Sequence, residues 1–199
     1  MSTASFEVVE RRSPPREVSR ITVDQYLGMF ESGLIDEDER VELLNGVIVR
    51  KAAQTPPHVV GRELCRDELD RRLRPGFWIR DGGPVRIAPW DMPEPDLIML
   101  RGNLREYAAR YPVPADVPLC VEVADSSLAR DRGVKRDPYA RGGVPVYWIV
   151  NLVDRRVEVF ADPRDGAYAT AVVVEEGGSV ELTVDGAVWG RIEVAAVLP

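Results

Sequence analysis

The run Val144-Pro145-Val146-Tyr147-Trp148-Ile149-Val150-Asn151-Leu152 limits the folds open to this chain more than any other feature. It is apolar almost throughout and rich in β-branched and aromatic side chains, which suit a pleated strand. Few polar residues interrupt it, so it predicts a buried strand.

The remaining segments predict elements to pack around it. Thr22 or Asp24 can cap a short helix reaching Ser32, with Tyr26, Leu27 and Phe30 on one face and Gly33 at its end. Arg40–Lys51 reads as a hairpin turning at Asn45-Gly46, where both positions tolerate positive φ. Residues 57–73 read as a helix, with Leu64, Leu69 and Leu73 at near-helical spacing and Pro57 suited to its start. Phe77–Arg80 and Pro84–Ala88 flank Asp81-Gly82-Gly83 and predict a second hairpin. Asp96–Leu100 and Pro118–Ala124 read as strands, residues 101–111 as a helical excursion, and Ser126–Arg141 as a charged helix. Residues 155–199 predict short strands turning at Asp165-Gly166, Gly177-Gly178 and Asp185-Gly186. The order of elements predicts one α/β domain on a mixed sheet over residues 21–199, after an N-terminal tail, residues 1–20.

Composition narrows function mainly by exclusion. The formal charge of −7 rules out a uniformly basic nucleic-acid coating but leaves room for a local basic site. Cys65 and Cys120 are too few for a disulfide framework or a zinc cluster, and read as small buried apolar residues. A single histidine, His58, removes most His-rich metal sites and weakens any Ser-His-Asp arrangement. No apolar run approaches the ~18–20 residues of a membrane span. A soluble cytoplasmic protein without an organic cofactor is expected.

The chemistry-bearing residues are carboxylates set in apolar strands. Glu42 stands in Val41-Glu42-Leu43-Leu44, Asp96 in Pro95-Asp96-Leu97-Ile98, and Glu122 in Leu119-Cys120-Val121-Glu122-Val123-Ala124. Charged groups in such surroundings need a partner or a metal unless they face solvent. Strand alternation puts Cys120, Glu122 and Ala124 on one face, and small neighbours leave room beside the carboxylate. Taken alone, Glu122 is as simply read as the solvent side of a half-exposed strand. Downstream, Asp131, Lys135 and Tyr139 share a helix face at i, i+4, i+8 spacing. Arg130, Arg132, Lys135, Arg136 and Arg141 form a local basic stretch, which suits either phosphate contact or a solvated helix face.

These residues, in this order, resemble the PD-(D/E)xK nuclease superfamily, and more closely its Uma-type restriction endonuclease family. The resemblance rests on Glu42-Leu43-Leu44-Asn45-Gly46, Pro57-His58, Pro95-Asp96-Leu97, Val121-Glu122-Val123-Ala124-Asp125-Ser126-Ser127, Asp131, Lys135, Tyr139 and Gly143-Val144-Pro145-Val146-Tyr147-Trp148-Ile149-Val150. It covers roughly residues 20–160, each motif weak alone and the ordered set fairly specific. It implies a restriction-endonuclease-like core, a mixed β-sheet flanked by helices, here with extra C-terminal strands. It implies Mg²⁺ or Mn²⁺ held by Asp96, Glu122 and the Val123 carbonyl, with Glu42 completing the acidic cluster. The superfamily lysine two residues after the glutamate is replaced by Ala124, and its counterpart by resemblance is Lys135 on the following helix. His58 would contact phosphate or support Glu42, or else serve as a structural histidine. Asp131 would support the site. Tyr139 would position Lys135 or, by preference, pack in the core. Arg130, Arg132 and Arg136 would meet DNA phosphates. Pro138 puts the placement of Tyr139 in question. Val146 and Asn151 stand where acidic residues are common in the family.

The implied function is metal-dependent DNA endonuclease activity. A homodimer is implied too, with Val144–Leu152 and the C-terminal strands as candidate interface. The main alternative is a catalytically silent nuclease-fold protein acting as a binding or interaction module. A carboxylate-pair glycosidase is a third, and it would need aromatic platforms around two carboxylates.

Overall fold

The computed structural model of the chain describes residues 19–199, so the expected N-terminal tail lies almost wholly outside the described residues. The first element is helix α1 (Val23–Glu31), closed by a capping box in which Thr22 and Gln25 each hold the other's backbone N–H. Strands β1 (Val41–Leu44) and β2 (Val47–Arg50) form the expected hairpin, with Asn45 at φ 52° and Gly46 at φ 75° in the turn. Helix α2 (Pro56–Asp70) starts after an N-cap at Thr55, whose hydroxyl accepts the His58 N–H.

The main sheet has six strands in the order β3 (Phe77–Asp81), β4 (Leu97–Arg101), β5 (Leu119–Ala124), β6 (Val146–Asn151), β7 (Arg156–Arg164) and β8 (Ala167–Glu175). Only β5 and β6 run parallel, joined by a right-sized helical crossover. A separate hairpin, β9 (Ser179–Val184) and β10 (Ala187–Glu193), supplies the extra C-terminal strands. Thus the mixed sheet predicted from the sequence is present. The hairpin expected at Asp81-Gly82-Gly83 is not. Residues 84–88 turn away and carry one isolated bridge, Ile87 to Asp91, while β3 pairs with β4 instead. Val85 and Ile87 are apolar because they pack on the sheet face, not because they extend it.

The β6 run is buried between β5 and β7, as its composition predicted, and so cannot form a dimer interface. Alternation along β5 splits the core. Val121 and Val123 pack with Cys65 and Leu69 of α2, Trp148, Val150 and the apolar side of the β9–β10 hairpin. Cys120 and Ala124 pack on the other face with Tyr139, Tyr147 and Ile149. Gly61 brings α2 close to the sheet: a Cβ there would lie 3.3 Å from Val123 Cγ1. A third cluster joins α1 to β1 through Val23, Tyr26, Leu43 and Met92.

The crossover after β5 is irregular. One α turn, α3 (Leu128–Arg130), widens into a π-type turn at Asp131–Lys135 and resumes as α4 (Arg136–Gly142). Pro138 lies early in α4, where the missing N–H and the ring clash fall on the widened turn rather than on a regular helix. Tyr139 therefore keeps its inward position and is completely buried.

Candidate active site

The ends of β1, β4 and β5 and the π-type turn meet at one point. Glu42, central in β1, is 1% exposed because the β1–β2 hairpin lies over the sheet end. Asp96 immediately precedes β4, and Glu122 sits in β5 on the face that looks toward α4. Lys135, last in the π-type turn, reaches back across this junction. Its Nζ lies 2.8 Å from Glu122 Oε1 and 3.2 Å from Glu42 Oε2, and donates to the Glu94 carbonyl at 3.2 Å. The Tyr139 hydroxyl donates to Glu122 Oε1 at 3.1 Å. The space that small neighbours leave beside Glu122 is thus filled by Lys135 and Tyr139.

Asp96 is held differently. Its Oδ2 accepts the Val123 N–H at 2.8 Å and stands 3.1 Å from His58 Nε2. The Ala124 carbonyl accepts from Leu152 toward β6, so alternation turns the Val123 peptide groups toward Asp96. Glu42 Oε2 also accepts the Glu94 N–H at 3.1 Å. Asp131 is 1% exposed; its Oδ2 accepts the Ser127 hydroxyl at 2.6 Å and its carbonyl accepts the Tyr147 hydroxyl at 3.1 Å. The i, i+4 spacing of Asp131 and Lys135 therefore makes no surface ion pair, since both are buried and bonded to other groups.

Burial shifts these groups in opposite senses. Loss of water raises the Glu122 pKa well above the ordinary carboxylate value, against the opposing charge of Lys135. Asp131 is pushed up to about 6, first by burial, with Lys135 and the Ser127 bond working the other way. Burial also works to lower the Lys135 pKa, but Glu122, Glu42, Asp131 and Asp96 together outweigh it and raise the pKa. At Asp96, burial is opposed by the His58 contact, the charges of His58 and Lys135, and the Val123 N–H, and the pKa is lowered. Four carboxylates around one ammonium leave excess negative charge, which attracts a proton or a cation.

A cavity of about 40 Å³ opens beside Lys135, bordered by Glu42, His58, Asp96, Asp125 and Asp131. That is room for a few water-sized spheres, enough for one ion with its waters. Donor chemistry fits a hard divalent cation, because the acidic wall offers only carboxylate oxygens besides His58. The carboxylates are nonetheless spread around Lys135: among the described residues, no three His, Cys, Asp or Glu side chains converge as a ligand set. Glu122 Oε1 is taken by Lys135 and Tyr139, and Glu122 itself lies behind Lys135 rather than on the cavity wall.

The basic residues do not gather as one patch. Arg130 is on the cavity rim, 4.0 Å from Glu42 Oε1, and donates to the Arg50 carbonyl. Arg132 turns the other way, to Glu158 and Asp154 beyond β6. Arg136 lies over Phe160 and bonds Asp137. Arg40, Lys51 and Gln54, which flank and follow the β1–β2 hairpin, border the cavity and escaped the sequence reading, because polar residues at a hairpin's ends carry no local signal of a site. Asp125, which accepts the Thr55 hydroxyl at 2.8 Å, was visible only as part of the motif after Glu122.

A mixed sheet with a lysine-bridged carboxylate cluster at the ends of its strands defines a restriction-endonuclease-like fold. Residues 23–193 match the model of the Uma2 family, described as "Putative restriction endonuclease". The chain belongs to that family. Among solved structures it is similar to one titled a putative nuclease belonging to DUF820 from Anabaena variabilis ATCC 29413. The TM-score is 0.68 at 14% identity, over 89% of this chain and 97% of that one. At that identity the likeness shows a shared fold. A comparison with curated proteins returned no match. No helix among the described residues is long and apolar enough to cross a membrane.

Proposed function

We propose that the protein is a metal-dependent endonuclease hydrolysing phosphodiester bonds in DNA. One observation carries this reading: Lys135 Nζ joins Glu122 and Glu42 at 2.8 and 3.2 Å behind a cavity that Asp96 borders. Mg²⁺ or Mn²⁺ on Asp96, Glu122 and the Val123 carbonyl, beside Glu42, would supply Lewis-acid activation of water and neutralise charge at phosphorus. Lys135 keeps its proton among the carboxylates and presents an ammonium where negative charge builds during attack. His58 and the Val123 N–H orient Asp96, and Tyr139 orients Glu122. Asp131 and Ser127 line the same cavity and would stand beside an attacking water. Arg130, Arg40 and Lys51 on the rim would meet backbone phosphates, a role less suited to Arg132 and Arg136 because their carboxylate partners already hold them. Nucleases of this superfamily that cut both strands often act as dimers, so the proposal includes a homodimer, and its setting is the cytoplasm.

No tyrosine, tryptophan or phenylalanine borders the cavity, which disfavours the glycosidase reading. The silent-module reading is favoured by the occupation of Glu122 Oε1 by Lys135 and Tyr139. Incubation of supercoiled DNA with Mg²⁺ or Mn²⁺ separates the two. Nicking or linearisation that is lost in both Asp96→Ala and Glu122→Ala is expected. Cleavage that persists in both variants would refute the site, and metal-independent DNA binding without cleavage would establish the silent module.

A further inference from the structure

Glu94 joins the interior of the site to its rim. Its backbone faces inward: the N–H donates to Glu42 Oε2 at 3.1 Å, and the carbonyl accepts from Lys135 Nζ at 3.2 Å. Its side chain faces the rim, where Oε2 lies 2.8 Å from Lys51 Nζ. Lys51 borders the cavity, whereas Glu94 does not. Of the rim cations Arg40, Lys51 and Arg130, Lys51 alone reaches a carboxylate at hydrogen-bond distance among the described residues.

We propose that Glu94 is a built-in competitor for DNA phosphate: its carboxylate occupies Lys51, and a backbone phosphate at the rim takes Lys51 over when DNA binds. This rests on the nuclease reading and adds to it a residue that sets the affinity of the site for its substrate.

The two partners differ in freedom. Pro95 confines Glu94 to extended backbone conformations, and Pro93 fixes the chain before it. The Pro93 carbonyl accepts the Val85 N–H at 2.9 Å, and the Glu94 N–H and carbonyl are both bonded inside the site. Glu94 is therefore held in place. Lys51 is anchored only through its backbone, where its N–H bonds the Arg40 carbonyl at the base of the hairpin. Its long flexible stem lets the ammonium change partner while both backbones stay fixed.

The exchange replaces one anion by another. The pair is partly exposed, 18% at Lys51 and 29% at Glu94, and ion pairs of that kind are weak. A duplex presents a dense line of phosphates, which outcompetes a single carboxylate. The opposite response separates this role from a structural one. If the pair only stiffened the base of the hairpin, removing it would weaken DNA binding or leave it unchanged.

Fluorescence anisotropy of a short labelled duplex tests the proposal by binding alone, with Ca²⁺ supplied as a hard divalent cation. Salt at about 0.15 M screens charges more than roughly 8 Å apart, which suppresses the general effect of removing a negative charge. Glu94→Gln should tighten binding about three- to fivefold, since it keeps the shape and releases Lys51. A gain in affinity cannot come from loss of folding. Lys51→Met should weaken binding and lower the slope of log K against log salt by about 0.9, the loss of one phosphate contact. Adding Glu94→Gln to Lys51→Met should then gain almost nothing, because the released partner is gone. Binding by Glu94→Gln no tighter than wild type would overturn the proposal. So would a gain of equal size in the Lys51→Met background, or a Lys51→Met variant that binds like wild type. None of these results bears on cleavage. Failure of wild type and every variant to bind the duplex would instead overturn the nuclease reading, and this proposal with it.

Discussion

Replacing Lys135 with methionine probes the part of the structure where fold and chemistry are least separable. Methionine keeps most of the volume and removes the ammonium. Lys135 is 5% exposed and lies within 3.2 Å of both Glu122 and Glu42, so the substitution strands two buried carboxylates. Removing one partner of a buried ion pair costs about 3–5 kcal/mol, because the surviving charge has neither water nor counter-ion. Part of that cost is relieved when Glu122 takes up a proton, which burial already favours. A carboxylate whose folded-state pKa lies above its unfolded value binds more protons when folded, so stability falls as pH rises. The variant should therefore lose little at pH 4.5, the ordinary carboxyl value, and progressively more toward pH 8. Urea unfolding of wild type and Lys135→Met across that range measures it. Adding Glu122→Gln should recover a large share of the loss at pH 8, since it replaces the charge with a neutral group of the same shape. A loss below about 1 kcal/mol at pH 8, or one independent of pH, would refute the buried ion-pair reading of Lys135.

Two further outcomes follow from neighbouring bonds. Tyr139→Phe deletes a buried hydroxyl from a carboxylate at 3.1 Å, and should cost about 1.5–3 kcal/mol in urea unfolding with the fold intact. Asp131 rises from 3.8 to about 6 on folding, mainly through burial, so its ionisation opposes folding increasingly across that interval. Asp131→Asn should therefore flatten the fall in stability between pH 4 and 6, and a carboxyl resonance titrating near 4 in the native protein would count against it.

Chain-local physics made most of the elements legible. Asn45-Gly46 marks a hairpin because both residues tolerate positive φ, and the Val144–Leu152 run marks the strand at the sheet interior. Alternation around Glu122 correctly assigned Cys120 and Ala124 to one core face. Long-range pairing was less visible. Asp81-Gly82-Gly83 has a hairpin's composition, but β3 finds its partner across residues 84–96, because packing of Val85 and Ile87 on the sheet outweighs the local turn signal.

The candidate site divides along the same line. Residue order and type determined which carboxylates and which lysine to consider, since charged side chains inside apolar strands require a counterpart. Only the tertiary structure decided that Glu42, from a hairpin far along the chain, shares Lys135 with Glu122, that His58 stands against Asp96, and that Arg132 faces away. Distances between side chains depend on strand order and on the widened turn before Pro138. Those are properties of the packed core as a whole, which no local window of sequence contains.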